Sequence, residues 1–300
     1  MMANENQAKQ PAAGVKLLRY GPKGQERPGL LDADGIVRDL SGILDDITPD
    51  TLSRESIARL AAMDPTSLHA VAGTPRFGVP VKGIGKIIAI GLNYREHAAE
   101  AKLEVPKEPV VFMKAITSLN GPDDDVIQPR DSVALDHEVE LVIVIGKRAQ
   151  YVTEEQAPDC IAGYATGHDV SERDFQIRRG GQWVKGKSAD TFAPLGPYVL
   201  AGSALDATNL ELWLSVNGED RQRSNTNQMV FKPAFLVSYL SQFMTLEPGD
   251  VIYSGTPSGV GMGRKPPLYL KPGDVVTLGV EGLGVQRQKI VAWSGNHSEK

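Results

Sequence analysis

A run of apolar residues, Val139–Ile145, interrupted only by Glu140, constrains the fold more than any other feature of the sequence. An almost unbroken apolar run of this length is typical of a strand that is buried on both faces. Such a strand needs neighbouring strands on both sides and packed layers above and below it. Glycine and proline, with 31 and 20 residues, exceed their ordinary shares of about 7% and 5% and indicate many turns. The sequence therefore predicts a mixed α/β chain that is rich in β-strands and has few helices.

The first part of the chain predicts a small α+β domain. Val15–Tyr20 alternates enough to indicate a strand. Residues 53–63 begin with a serine that can cap a helix. Residues 74–85 are then rich in proline and glycine. We therefore place a boundary in this segment, with an N-terminal domain over residues 1–78 and a larger domain over residues 79–294.

The larger domain predicts strands separated by short helices. Apolar segments bounded by turn residues indicate strands, and one of them is followed by the turn signal Asn217-Gly218. Two further segments indicate helices, the first of which Asn93 can cap. The predicted strands cover residues 86–91, 109–114, 161–169 and 212–216, and the predicted helices cover residues 93–104 and 231–244.

Charge and cysteine content exclude several classes of protein. The net charge of −5 argues against nucleic-acid binding, which needs a basic surface. No stretch of about 20 apolar residues is present, so no membrane span is expected. The single cysteine, Cys160, cannot form an intrachain disulfide, and residues 1–10 lack the apolar core of a signal peptide. We expect a cytoplasmic protein in which Cys160 is a small buried side chain and not a nucleophile.

Acidic residues cluster where the apolar run begins. Asp136, Glu138 and Glu140 alternate along one strand and would share a face. Ionised carboxylates about 6.5 Å apart repel by about 2–3 kcal/mol at an effective dielectric constant near 20. Water, a lysine or arginine, or a bound cation can relieve this repulsion. Asp169 ends the predicted strand 161–169 and could complete a cation site, for which oxygen ligands favour Mg²⁺, Mn²⁺ or Ca²⁺ over zinc.

Three histidines lie next to these acidic segments. His137 and His168 each precede an acidic residue and would point to the opposite face, which indicates core or supporting roles. His97 and Glu100 are three residues apart and would share one face of the predicted helix. A carboxylate beside an imidazole fixes its tautomer and raises its basicity, so this pair could activate water. The alternative is a pair of polar side chains on a solvated helix face.

Six segments of the chain match the motifs of one known family in their order along the sequence. They are Gly91-Leu-Asn-Tyr-Arg-Glu-His-Ala-Ala-Glu100, Asp136-His-Glu-Val-Glu-Leu-Val-Ile-Val-Ile-Gly146, Asp169-Val-Ser-Glu-Arg-Asp174, Gly181-Gln-Trp-Val-Lys-Gly-Lys-Ser188, Val216-Asn-Gly-Glu-Asp-Arg-Gln222 and Ser254-Gly-Thr-Pro-Ser-Gly-Val-Gly261. Together they resemble the fumarylacetoacetate hydrolase family. The chain is most similar to its short acylpyruvate hydrolases and to its members that act on 2,4-dioxo-3-deoxy sugar acids.

The resemblance implies a metal-dependent enzyme with the family's β-rich fold, a mixed β-sandwich roll. Glu138, Glu140 and Asp169 match the three carboxylate ligands of Mg²⁺ or Mn²⁺, with Ca²⁺ as a further candidate. His97 and Glu100 match a dyad on a mobile lid that becomes ordered when substrate binds.

Further positions carry over from the same resemblance. Lys187 matches a lysine that stabilises developing negative charge. The residues that match positions near the substrate or this lysine are Arg173, Gln176, Gln222 and Thr256, and Lys114 is an additional pocket candidate.

The activity implied is hydrolysis of a C–C bond in a 2,4-dioxo acid of the acylpyruvate type. The products would be a 2-oxo acid such as pyruvate and a carboxylic acid. The alternative is an oxaloacetate-type decarboxylase or a ureidoglycolate-type lyase that uses the same metal site. The expected partner is a small 2-oxo acid, with no nucleic acid and no membrane, and the expected assembly is a homodimer or a dimer of dimers.

A glycine-rich segment offers a competing hypothesis of phosphate binding. Residues 259–265 contain three glycines, but no Lys-Ser or Lys-Thr pair follows them as a P-loop requires. A flexible turn beside the active site explains the segment better. A non-enzymatic scaffold is also disfavoured, because every proposed ligand, the lysine and the dyad are present.

Overall fold

The computed structural model describes residues 14–100, 104–202 and 205–295. Its strands are β1 (Val15–Tyr20), β2 (Arg27–Leu31), β3 (Val37–Asp39), β4 (Ile87–Gly91), β5 (Val110–Lys114), β6 (Leu119–Asn120), β7 (Val126–Gln128), β8 (Leu135–Asp136), β9 (Val139–Ile145), β10 (Ile161–His168), β11 (Ser171–Glu172), β12 (Ala193–Pro194), β13 (Val199–Ala201), β14 (Glu211–Val216), β15 (Glu219–Asn225), β16 (Val251–Tyr253), β17 (Val275–Val280) and β18 (Val285–Ala292). Its α-helices are α1 (Arg54–Ala61), α2 (Arg95–Glu100), α3 (Val184–Lys187) and α4 (Pro233–Leu240).

Two large sheets dominate the fold. One has nine strands in the order β3-β2-β1-β13-β10-β9-β16-β4-β5, and the other has five strands in the order β15-β14-β17-β18-β7. Two further pairs of short strands, β11-β8 and β12-β6, form two-stranded sheets. Because strands outnumber helices throughout the described ranges, the predicted β-rich class is confirmed.

Strand β9 lies near the middle of the nine-stranded sheet, between β10 and β16, and every one of its residues is buried. Its side chains alternate between the two faces of the sheet, as a strand's period of two requires. Val142 and Val144 pack into one core, whereas Ile143 and Ile145 pack with α4 into another. Leu141 belongs to a third core, which forms against the five-stranded sheet. Burial on both faces explains why the sequence of β9 is almost wholly apolar.

The N-terminal strands belong to the same sheet as β9. Strand β1 pairs antiparallel with β13, with Leu17 opposite Val199. Residues on both sides of the predicted boundary therefore share one sheet and one core. The division into residues 1–78 and 79–294 stays a prediction.

Two predicted helices differ from the observed ones. Helix α4 covers Pro233–Leu240, and residues 241–243 continue it as hydrogen-bonded turns, with the N–H of Phe243 donating to the carbonyl of Leu240 at 3.1 Å. Asn93 does not cap α2. Its side chain accepts the N–H of Phe231 at 2.7 Å and donates to the carbonyl of Ser254 at 2.7 Å, which joins two distant loops. Residues 101–103 of the predicted helix 93–104 lie outside the described residues.

Within the described ranges, no helix has the length and apolar character needed to cross a bilayer.

A salt bridge near the N-terminus gives a test of stability. The guanidinium Nε of Arg19 donates to Asp46 at 2.7 Å, with 10% of each side chain exposed. Burial raises the pKa of Asp46, but the hydrogen bonds from Arg19 outweigh this effect and lower that pKa overall. We expect Asp46→Asn to reduce the free energy of unfolding by about 3 kcal/mol near neutral pH, because it leaves Arg19 without its main partner.

The sign of the pH dependence follows from the lowered pKa. The stabilisation by Asp46 is complete above its unfolded pKa of about 3.9 and is lost as the pH falls through the lower folded value. Urea unfolding should therefore show a difference in the free energy of unfolding between wild type and Asp46→Asn that becomes smaller below about pH 4. Asp45→Asn, at an exposed neighbouring position, is the matched control. An equal loss from both variants would contradict the assignment.

Candidate active site and metal centre

The pairing of β9 with β10 brings the three predicted metal ligands together. Glu140 lies opposite Gly167 in this antiparallel pair, and the N–H of Asp169 donates to the carbonyl of Glu138 at 2.9 Å. Oxygens of Glu138, Glu140 and Asp169 all lie within 4.8 Å of one another, and all three residues are buried. Two segments distant in sequence thus place three carboxylates at one point.

Asp136 lies beside this cluster without belonging to it. Strand β8 ends at Asp136 and β9 begins at Val139, so the regular alternation predicted across residues 136–140 is interrupted. The Asp136 carboxylate accepts the N–H groups of Gly261 at 2.6 Å and Met262 at 3.1 Å. It also pairs with Arg173 at 2.8 Å. Asp136 therefore fixes Arg173 and the 261–262 loop.

Buried cations hold two of the three carboxylates. The Lys187 ammonium donates to Glu138 at 2.8 Å and to Asp169 at 2.7 Å, and Lys114 contacts Asp169 as well. Arg173 reaches Glu138 at 2.5 Å. Burial would raise the pKa of Glu138, but Lys187 and Arg173 lower it to about 2.

Glu140 is held differently. Its carboxylate accepts the N–H of Gly255 at 2.8 Å, and in the described part of the chain no lysine or arginine forms an ion pair with it. Burial, together with the charges of Asp169 and Glu138, raises the pKa of Glu140 well above its ordinary value. Glycine at 255 allows this contact, because its backbone has φ of 101° and a Cβ there would lie 2.7 Å from Asn93.

The charges of this cluster, counted together with the neighbouring Asp136, fit a divalent cation. When all are ionised, four buried carboxylates meet three buried cations, which leaves one negative charge in excess; they are Asp136, Glu138, Glu140 and Asp169 against Lys114, Arg173 and Lys187. Hard oxygen ligands in a buried group of three suit Mg²⁺, Mn²⁺ or Ca²⁺. Glu138, Glu140 and Asp169 would hold such an ion.

The His97–Glu100 pair lies at the cluster and not on a solvated helix face. His97 is 7% exposed and lines the same cavity as Glu138, Arg173 and Lys187. Its Nδ1 lies 3.4 Å from the carboxylate of Glu100. When Nδ1 carries the proton, Nε2 is the basic nitrogen of the ring.

Glu100 is itself positioned by the glycine-rich segment. Both of its carboxylate oxygens lie 3.1 Å from the N–H of Gly259. Glycine is required here, because Gly259 has φ of 104° and a Cβ would lie 2.0 Å from the carbonyl oxygen of Arg221. The segment predicted to be a turn beside the active site therefore contacts the dyad directly.

The remaining predicted residues divide into two groups. Arg173, Gln176 and Thr256 line the cavity, whose volume is about 100 Å³. Gln222 lies behind it, where its side chain accepts the N–H of Val139 at 3.1 Å and donates to Thr256 at 2.9 Å. Lys114, at the end of β5, contacts Asp169 and the carbonyl of Val170.

Comparison with known proteins places the chain in a family. A family model described as the C-terminal part of fumarylacetoacetate (FAA) hydrolase matches residues 86–291. The chain belongs to the fumarylacetoacetate hydrolase family. A Burkholderia multivorans protein whose name provisionally assigns it to the hydrolases is 55% identical over 276 residues, which cover 91% of this chain and 98% of that protein.

Solved structures agree with this family assignment. Fumarylacetoacetate hydrolase from Exiguobacterium antarcticum is 33% identical, with a TM-score of 0.84 over 93% of this chain and all of that one. A 5-carboxymethyl-2-hydroxymuconate delta-isomerase from Mycobacterium smegmatis is 33% identical, with a TM-score of 0.73 over 93% of this chain and 99% of that one. The β-rich fold of the fumarylacetoacetate hydrolase family, expected from the sequence, is confirmed.

Several residues that line or support the candidate site were not predicted from the sequence. The cavity is also lined by Phe112, Trp183 and Met262, and Asp136 orients its surroundings. Trp183 lies in a segment that carried the family resemblance, but an aromatic residue in such a segment has no signature that separates a cavity wall from a core. His137 and His168 are both buried, as expected, and burial lowers the pKa of His168 to about 3.

Gly91 supports the aromatic wall of the cavity and can be tested. A Cβ at position 91 would lie 2.5 Å from the Trp183 ring, so Gly91→Ala must displace the indole. We expect a rise in KM and a loss of about 10-fold in kcat/KM, with about 1–3 kcal/mol lost from the free energy of unfolding. Steady-state kinetics and urea unfolding measure these effects. Gly42→Ala, where a Cβ meets nothing within 4 Å, is the control and should change neither quantity.

Proposed function

We propose that the protein is a divalent-metal-dependent hydrolase that cleaves a C–C bond in a 2,4-dioxo acid of the acylpyruvate type. The products are a 2-oxo acid such as pyruvate and a carboxylic acid. One observation carries the proposal: a cavity is lined by Arg173, Lys187 and a carboxylate-oriented histidine, and also by Glu138, through which it borders the buried carboxylate triad.

The triad supports the metal part of the proposal. Mg²⁺ or Mn²⁺ held by Glu138, Glu140 and Asp169 would act as a Lewis acid for negative charge on the substrate oxygens. With a divalent cation, the excess of one negative charge in the cluster becomes an excess of one positive charge. A single substrate carboxylate balances that excess, which matches a mono-anionic 2-oxo acid.

The dyad supports hydrolysis. Glu100 orients His97, and His97 takes a proton from water while the hydroxide adds to the 4-carbonyl carbon of the substrate. Lys187, at the same cavity, stabilises the charge that develops on that carbonyl oxygen. The C3–C4 bond then breaks, its electron pair passes to the 2-oxo acid part, and the proton on His97 moves to C3.

Arg173 keeps the charged groups in place during this sequence. Its guanidinium holds Glu138 and Asp136 at once, and it donates to Gln176 at 3.0 Å. Opposing charges raise the pKa of Arg173 despite its burial, so it stays protonated throughout. A fixed positive charge at the cavity lowers the cost of binding an anionic substrate.

The test follows the ultraviolet absorbance of a simple acylpyruvate with metal-stripped protein, before and after Mg²⁺ or Mn²⁺ is added. Oxaloacetate is run in parallel and corrected for decay caused by the metal alone. Loss of the enol band only with protein and metal together supports hydrolysis. Consumption of oxaloacetate alone would make the chain a decarboxylase, and consumption of neither compound would reject the substrate class.

The homodimer or dimer of dimers stays a prediction, which sedimentation of the purified protein would test.

A further inference from the structure

The lining of the cavity has two chemically different parts. Glu138, Arg173 and Lys187 form a charged group beside the carboxylate cluster. The apolar part of the lining, here called the apolar wall, is formed by Ile90, Phe112, Ile177, Trp183 and Met262. A substrate in this cavity therefore meets charged groups with one part and apolar surface with another.

The aromatic part of the wall has a fixed geometry. The rings of Phe112 and Trp183 meet edge to face, with centroids 5.2 Å apart and planes at 62°. Trp183 lies directly over Gly91, where no Cβ could fit. The Lys187 ammonium lies 5.2 Å from the centre of the Phe112 ring, so the charged group and the apolar wall adjoin at Phe112.

The cations that line the cavity are already engaged. Arg173 and Lys187 are the lysine and arginine residues among its described lining residues, and both pair with carboxylates of the cluster. The apolar wall therefore offers no cation to a second substrate carboxylate. It also offers few hydrogen-bond partners to a row of hydroxyl groups, whose burial without partners costs binding energy.

On the basis of the proposed function, we propose that the acyl group of the natural substrate is uncharged and apolar. With the 2-oxo acid head at Arg173 and Lys187, this group lies against Phe112 and Trp183. An alkyl chain suits this wall, whereas a terminal carboxylate or a polyol would lose its polar partners there.

The test compares ligands that cannot be hydrolysed because they lack the 4-carbonyl group. Pyruvate probes the head alone, 2-oxohexanoate adds an alkyl tail, and 2-oxoadipate ends a tail of the same length in a carboxylate. Each is titrated into protein loaded with Mn²⁺ or Mg²⁺ while tryptophan emission is recorded. Trp183→Phe identifies the signal, because the emission change must be lost in this variant while calorimetry still shows the same order of affinities.

We expect 2-oxohexanoate to bind on the order of 100-fold more tightly than 2-oxoadipate. Equal affinities, or tighter binding of 2-oxoadipate, would overturn the inference and leave the proposed function intact, provided that pyruvate binds. If none of the three ligands binds, the 2-oxo acid site itself is wrong and both proposals fall.

A charge introduced at the wall gives an independent check. Ile177 is 50% exposed, so a lysine there can reach water and need not disturb folding. We expect Ile177→Lys to shift the affinity ratio about 10-fold towards 2-oxoadipate, and Ile177→Met to leave the ratio unchanged. A ratio that is the same in both variants would show that the tail does not reach this wall.

Discussion

Glu140→Gln is expected to abolish metal-dependent activity and at the same time to raise the thermal stability of the metal-free protein. Glu140 has a raised pKa because it is buried beside Asp169 and Glu138. A carboxylate whose folded pKa exceeds its unfolded value destabilises the folded protein at every pH above the unfolded value. Glutamine removes that charge and can still accept the N–H of Gly255.

The expected magnitudes separate the two effects. Activity should fall by about 10³-fold or more, because a metal ligand is lost. The melting temperature without metal should rise by about 2–4 °C, which corresponds to about 1 kcal/mol for a chain of this size. Calorimetry without metal measures the rise in melting temperature. Calorimetry with Mn²⁺ then shows whether the variant has lost the further increase in melting temperature that bound metal gives to wild type.

Asp169→Asn is expected to lower the stability of the metal-free protein, in contrast to Glu140→Gln. Asp169 pairs with both Lys114 and Lys187, so its neutralisation leaves two buried ammonium groups poorly compensated. We expect this variant to be less stable than wild type, although it loses metal binding in the same way. Glu154→Gln, at an exposed position, controls for the change from a carboxylate to an amide.

The Glu140→Gln prediction has a clear contradicting outcome. If added metal raises the melting temperature of Glu140→Gln as much as that of wild type, Glu140 is not a ligand.

Only part of the proposed cation site follows from short-range geometry. Strand periodicity predicts that Glu138 and Glu140 share a face, and buried charges on that face need water, a lysine or arginine, or a cation as a partner. That Asp169 lies next to them depends on the register of β10 against β9, which periodicity alone does not fix. The family resemblance supplied that information.

Long-range pairings account for what could not be predicted. The position of β1 beside β13 joins residues far apart in the chain, and no local pattern encodes such a contact. Asp136 alternates with the ligands in sequence, but the break between β8 and β9 lets it bind the 261–262 loop instead. The lysines that neutralise Asp169 likewise come from other elements, β5 and α3.

His97→Asn is expected to lower kcat for acylpyruvate hydrolysis by about 10²–10⁴-fold while metal binding is retained. The reason is that His97 lies at the cavity beside Glu100 as the proposed base, but it is not among the residues that would hold the ion. Glu100→Gln should have a smaller effect, since glutamine can still accept the N–H of Gly259 and can still contact the His97 ring. His69→Asn, an exposed histidine, is the matched control.

Two measurements distinguish loss of a base from loss of structure in His97→Asn. The rise in melting temperature on adding Mn²⁺ should equal that of wild type, because Glu138, Glu140 and Asp169 are unchanged. Any decarboxylation of oxaloacetate, which needs no activated water, should be reduced far less than acylpyruvate hydrolysis. If His97→Asn hydrolyses acylpyruvate at the wild-type rate, another group activates the water. If hydrolysis and decarboxylation are reduced equally, His97 shapes the site and is not its base.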